Sequence, residues 1–207
     1  MALLPPLFVT GNAQAQEDRL ELLQDRLDAG EGTSTVWWYG WLGTYSALTV
    51  GQGAVYFATD DDQLRANALV GSAGSLLGVV SVLASRLPSI SAGADLRRVS
   101  GSTRQKITAG EALLDESAEA EAFGRSWVSH GLGFLVAAGQ GAVLWGAYDL
   151  PVDGAISFAV SLAMSELQIF TQPTRAIDDR REYRARYPVA RLSVFPTPGG
   201  AGLRLAF

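Results

Sequence analysis

The chain has no cysteine and a single histidine, His130. The first absence excludes disulfides, thiolate metal sites and cysteine nucleophiles, and the second argues against a histidine-built metal centre or a Ser-His-Asp triad. Lysine-rich patches are missing as well, and the net charge is −5. Nucleic acid, which is bound when positive charge displaces counterions from phosphates, is therefore not an expected partner. Charge as a whole is scarce, 18% of residues against the ~25% of an ordinary soluble domain, and it is missing from three long windows. These absences leave no cluster to read as catalytic, cofactor-binding or metal-ligating, so no enzyme and no cofactor is expected. The run Asp60-Asp61-Asp62 reads as a solvated turn, because no further ligands are spaced as in a calcium loop.

What fills the windows is apolar. Residues 32–59 carry no charge, and their apolar part, 36–58, exceeds the ~20 residues that cross ~30 Å of hydrocarbon at 1.5 Å per residue. A second uncharged stretch, 66–85, is closed by Arg86 and Pro88, and a third, 126–148, by Asp149 and Pro151. A fourth span over 152–171 requires Glu166 and Gln168 to lie inside the helix. Trp37, Trp38, Tyr39 and Trp41 open the first span, Trp127 opens the third, and Trp145 and Tyr148 close it, as amphipathic rings do at an interface. A soluble four-helix bundle would show a charged face recurring every three or four residues, and these windows show none. The expected fold is an all-α membrane protein with four transmembrane helices (about 36–58, 66–85, 127–148 and 152–171) paired as hairpins over 35–85 and 126–172.

The hairpins read as copies of one unit. Gly51-Gln52-Gly53-Ala54-Val55 recurs 88 residues later as Gly139-Gln140-Gly141-Ala142-Val143, and Asp61 matches Asp149. Two helices per copy would make a parallel repeat, related by an axis along the membrane normal. Small residues four apart, as in Gly43-Ala47-Gly51 and Gly133-Ala137-Gly141, point to close helix packing.

Outside the spans, residues 16–30 carry Leu20, Leu23 and Leu27, with Gly30 where a helix would stop. This predicts a short amphipathic helix that lies on the membrane or pairs with a partner. Residues 86–125 read as a soluble connection, a Ser/Gly-rich stretch and then an acidic, solvated helix with Glu111, Asp115, Glu116, Glu119 and Glu121. In the basic tail, 173–207, alternation on either side of Pro196-Thr197-Pro198-Gly199-Gly200 has the pattern of a small β-hairpin. The lipid bilayer is the expected partner, together with a second copy or another protein docking through 16–30 or 86–125.

Of the 16 basic residues, two precede the first span, six join the second and third, and seven follow the fourth, while Arg65 alone lies on the other face. The positive-inside rule then places this multi-pass protein in the cell membrane, the inner one where there are two, with basic loops and both termini cytoplasmic. Residues 1–15 oppose this, because an apolar stretch before Ala13-Gln14-Ala15 has the form of a signal peptide, whose cleavage would invert the orientation. That segment lacks a basic n-region and carries Pro5 and Pro6, so the charge argument is preferred.

Five polar residues inside the spans are the candidate functional groups: Glu166, Gln168, His130, Gln52 and Gln140. An ionisable group in a span costs ~2.5–3.5 kcal/mol on insertion scales, which marks Glu166 as a site candidate. Counting from a turn near Leu150 sets Glu166 level with Phe134, so contact with His130 is not favoured, and headgroups or Arg175 are the expected partners. Gln52 and Gln140 occupy matching places, and each amide needs a hydrogen-bond partner in hydrocarbon, which the other could provide. The reading preferred on sequence is a non-enzymatic scaffolding bundle, with a small-solute or ion pathway through Glu166 and the paired glutamines as its alternative.

Overall fold

The computed structural model describes residues 7–188, 191–197 and 200–206. Through residue 188 the fold is helical, with α1 (Leu7–Ala58), α2 (Asp62–Ala84), a 3-10 turn (Pro88–Ile90), α3 (Ala92–Arg98), α4 (Thr103–Gly124), α5 (Trp127–Tyr148), α6 (Pro151–Thr171) and α7 (Arg175–Arg186). Strands β1 (Arg191–Thr197) and β2 (Gly200–Ala206) pair antiparallel, Arg191 opposite Ala206 and Thr197 opposite Gly200.

The helices form two storeys that share α1. In one, the C-terminal half of α1 packs along α2, α5 packs along α6, and α2 joins the two pairs by packing on α5. In the other, the N-terminal half of α1 packs with α3, α4 and α7. The short amphipathic helix expected over 16–30 is thus the first part of a 52-residue helix, and Gly30 does not stop it. A glycine inside a helix costs only ~1 kcal/mol, and packing on either side outweighs it. Below Gly30, Leu23 and Leu27 are buried; above it, Trp37 and Trp38 are buried, and Ser34 accepts a hydrogen bond from Ser89 at 2.8 Å. Of the expected signal-like segment, residues 1–6 lie outside the described residues and Leu7 onward belongs to α1.

Among the described residues three helical segments are long and apolar enough to cross a membrane: α2, α5 and the stretch Pro151–Arg186, whose apolar part is α6. The first of the four expected spans, residues 36–58, is not among them. Residues 36–58 are uncharged, but three tryptophans, three tyrosines, Gln52 and several hydroxyls make them less apolar than their lack of charge suggests. The outer surface of this storey is nonetheless oily. Phe57 and Trp127 are each 83% exposed, and Val50, Leu135, Val160 and Phe170 also face outward. On a protein in water a surface of this kind marks an interaction site, whereas in lipid it is the normal exterior.

Short turns fix the helix pairs. Asp61 caps α2, its side chain accepting from the Leu64 N–H at 2.8 Å. Asp149 ends α5 in the left-handed region (φ 55°), which aspartate tolerates better than most residues. Leu150 N–H then donates to the Leu144 carbonyl at 3.0 Å, and both leucines pack with Ala66 and Val70.

The second storey has its own core of Leu23, Leu27, Leu96, Ile107, Leu114 and Tyr183. Burying each leucine contributes about 1.5–3 kcal/mol. The apolar face of 16–30, expected to meet a membrane or a partner, is therefore occupied within the chain. Around this core Arg19 bonds both Tyr183 and Glu111, Tyr183 donates to Glu111 at 2.6 Å, and Arg26 holds the buried Asp179 at 2.6 Å. Arg184 meets Asp115 at 2.7 Å, so α7 is tied to both α1 and α4.

Candidate functional site

The two helix pairs of the apolar storey do not close on each other. Along most of their length α6 stands away from α2 and α1, and near one end the gap to α1 is bridged by side chains alone. Trp37 donates to the Gln168 carbonyl at 3.3 Å, Tyr45 to Gln168 Oε1 at 2.8 Å and Trp41 to Thr171 at 3.1 Å. The space left between the pairs is a cleft of about 930 Å3.

Its lining follows from helix periodicity. On α6, Asp153, Ser157, Ser161, Ser165, Gln168 and Gln172 recur every three or four residues and face the cleft in one stripe. On α2, Asn67, Gly71, Ser75, Gly78 and Ser81 recur at the same spacing, and the cap residue Ser85 continues the row. At 1.5 Å per residue, the stripe from Asp153 to Gln172 is about 28 Å long and that from Asn67 to Ser85 about 27 Å, each close to the thickness of a hydrocarbon core.

The two repeated glutamines meet α2 inside this cleft. A Cβ at Gly71 would collide with Gln52 Oε1 at 2.2 Å, and one at Gly74 would collide with the Gln140 amide at 2.4 Å. Those glycines make room for the amides, and because they are three residues apart both amides lie within about 5 Å of one level. The amides do not bond each other, which corrects that expectation. Gln140 Oε1 instead accepts from Ser161 at 3.1 Å, while Gln52 Oε1 is buried with no hydrogen-bond partner among the described residues. Gln168, the third candidate amide, is the acceptor that bridges to Tyr45.

Glu166 and His130 lie elsewhere. His130 Nδ1 stands 2.8 Å from Glu166 Oε2 and 3.0 Å from Oε1, with both side chains about one-third exposed and neither lining the cleft. Arg175, expected near Glu166, pairs with Asp179 at 3.2 Å. Hairpin register explains the difference. The close approaches of Gly141 to Gly154 and of Gly133 to Ser165 centre the hairpin near residue 148 rather than at Leu150, which brings Glu166 one helical turn along, opposite His130.

Beyond the Gln172 end of the cleft sits a group expected on a solvated face. Glu121 is 1% exposed, and its Oε2 accepts from the Ile177 N–H at 3.1 Å at the start of α7. Burial pushes its carboxyl up to about 7; the N–H groups of Ile177 and Ala176 act against that, and Asp179 and Asp178 add to it. Gln172, a cleft residue, donates to the Glu121 carbonyl at 3.4 Å, and Arg125 donates to the carbonyls of Phe170 and Gln172 where α6 ends. The signal was available in the sequence: Ile107, Gly110, Leu114, Ser117, Ala118 and Glu121 fall on one helical stripe, so the last member belongs to the buried face.

The fold and site together define a mainly helical protein with helices apolar enough to cross a membrane and, between them, a mostly apolar cleft that carries a stripe of hydroxyls and amides. No family model, curated protein or solved structure matches the chain.

Proposed function

We propose that this chain is a four-span, non-enzymatic membrane protein whose cleft binds and passes a small polar solute. The observation that carries the reading is the polar stripe of α6, which follows the cleft through about 28 Å while the outer face of the same storey is apolar. A bundle that served only as a scaffold would fill the space between its helices at the density of a protein interior. Here about 930 Å3 is left between the pairs, with hydroxyls and amides set into a mostly apolar lining. Residues 36–58 of α1 supply the fourth span, because they pack along α2 and share its depth. The membrane is the cell membrane, with the storey of α3, α4 and α7 on the cytoplasmic side, as the positive-inside rule requires of its basic flanks.

Glu166 has no part in this path, so the solute-pathway reading now rests on Gln52, Gln140, Gln168 and the α6 serines. The test is uptake into neutral phosphatidylcholine vesicles carrying the purified chain, with glycerol and methylammonium as probes. Uptake above that of protein-free vesicles, cut severalfold by Ser161→Phe, is the expected result. Vesicles no more permeable with protein than without it would overturn the proposal. Alkaline carbonate extraction of cell membranes checks the class, and release of the chain into the soluble fraction would refute it.

A further inference from the structure

Resting on that reading of the cleft, we propose that the solute it accepts is a small monovalent cation, drawn in at the Asp153 end and held about one helical turn further in by the Gln52 carbonyl oxygen. Three observations converge. Among the residues that line the cleft, Asp153 is the one acidic residue, with no lysine, arginine or histidine to balance it. Its carboxylate is fixed at the mouth by Asn67 Nδ2 at 2.7 Å and Gln63 Nε2 at 3.0 Å, amide donors that orient the charge without neutralising it. The turns beside it carry Asp60, Asp61, Asp62 and Asp149, while the nearby guanidinium of Arg65 is stacked over Tyr56 at 5.1 Å. A mouth of net negative charge raises the local concentration of counter-ions, so cations are gathered at this end.

The second observation lies deeper. Gln52 is a cleft-lining residue whose Oε1, a carbonyl-type acceptor, is buried against Gly71 with no donor among the described residues. An unpaired acceptor in such a place is unfavourable, and a cation, whether it coordinates oxygen or donates N–H, would satisfy it. The third observation is the donor set: hydroxyl and amide oxygens accompany a single carboxylate, whereas divalent calcium takes 6–8 oxygens with several carboxylates among them. That composition suits a charge of one, as in alkali ions and alkylammonium ions.

The experiment compares uptake of rubidium, methylammonium, chloride and glycerol in neutral phosphatidylcholine vesicles carrying the full chain, under one ionic strength. The expected result is uptake of one or both cations at least tenfold faster than chloride, with Asp153→Asn lowering the cation-to-glycerol ratio about tenfold. Rubidium against methylammonium separates the alkali from the ammonium source. Chloride or glycerol uptake equal to that of the cations, or a ratio unchanged in Asp153→Asn, would overturn the cation inference while leaving the path intact. Absence of uptake for all four would remove the path itself. Because each ratio is measured within one preparation, a variant that inserts poorly does not blur the outcome, and the wild-type selectivity alone is decisive.

Discussion

Replacing Glu121 by glutamine should change how stability depends on pH more than it changes the fold. The amide oxygen of glutamine can accept from the Ile177 N–H as the carboxyl oxygen does at 3.1 Å, so the start of α7 keeps its partner. What is lost is the ionisation. In the unfolded chain this carboxyl titrates near 4.5, and in the folded chain burial raises it to about 7. Between those values the folded state holds a proton that the unfolded state has released. The stability it provides is complete below the unfolded value and is lost as pH rises through the folded one. At 1.36 kcal/mol per unit the window amounts to at most about 3.4 kcal/mol, and residual solvation brings it to about 2–3 kcal/mol. Thermal unfolding followed by helical circular dichroism in mild detergent, for wild type and Glu121→Gln from pH 4.5 to 8, isolates the effect, since all other titrating groups are common to both. The variant should gain on wild type as pH rises, by about 5–10 °C in midpoint across the window. A midpoint difference that stays constant with pH would refute the assignment of a raised value to this carboxyl.

Gly141→Ala and Gly154→Ala should each cost about 1–3 kcal/mol, because an added Cβ would meet the opposing backbone oxygen at 2.8 and 2.6 Å, and backbone cannot swing aside. Gly139→Ala, with nothing within 4 Å, is the control, and equal midpoints for all three would contradict the α5–α6 approach. His130→Ala and Glu166→Gln should leave solute uptake within twofold of wild type, since neither residue lines the cleft; a tenfold loss in uptake assays would place the pair on the path. For orientation, a cysteine at Ser102 should resist a membrane-impermeant thiol reagent in intact cells and one at Gln63 should react. The reverse pattern would invert the topology.

The sequence revealed the apolar class through windows without charge, yet lack of charge is not the same property as apolarity. That difference separates residues 36–58, rich in indole and hydroxyl groups, from α2 and α5. Gly30 misled because a stop signal was weighed against local propensity alone, whereas the helix is held by tertiary packing at Leu27 and Trp38. The levels of Gln52 and Gln140 were legible from their equal distances to acidic turns. Their partners were not, since Gly71, Gly74 and Ser161 are set by how the hairpins pack. The α6 stripe was there to be read: Asp153, Ser157, Ser161 and Ser165 are four apart in an otherwise oily helix. Attention went to the charged Glu166, whose true position turned on a hairpin centre two residues from the one assumed.

Because α1 is a single rod shared by both storeys, motion in one is necessarily geometry in the other. From Trp37 to Gln16 the rod extends about 30 Å beyond the apolar storey, so a tilt of about 10° at the cleft displaces its far end by about 5 Å. Arg19 and Arg26 ride on that end, gripping Glu111 on α4 and Asp179 on α7. α7 in turn continues from α6, the helix that carries the polar stripe. The chain therefore closes a mechanical loop in which the wall of the cleft and the lever that would move it are clamped together outside the apolar layer.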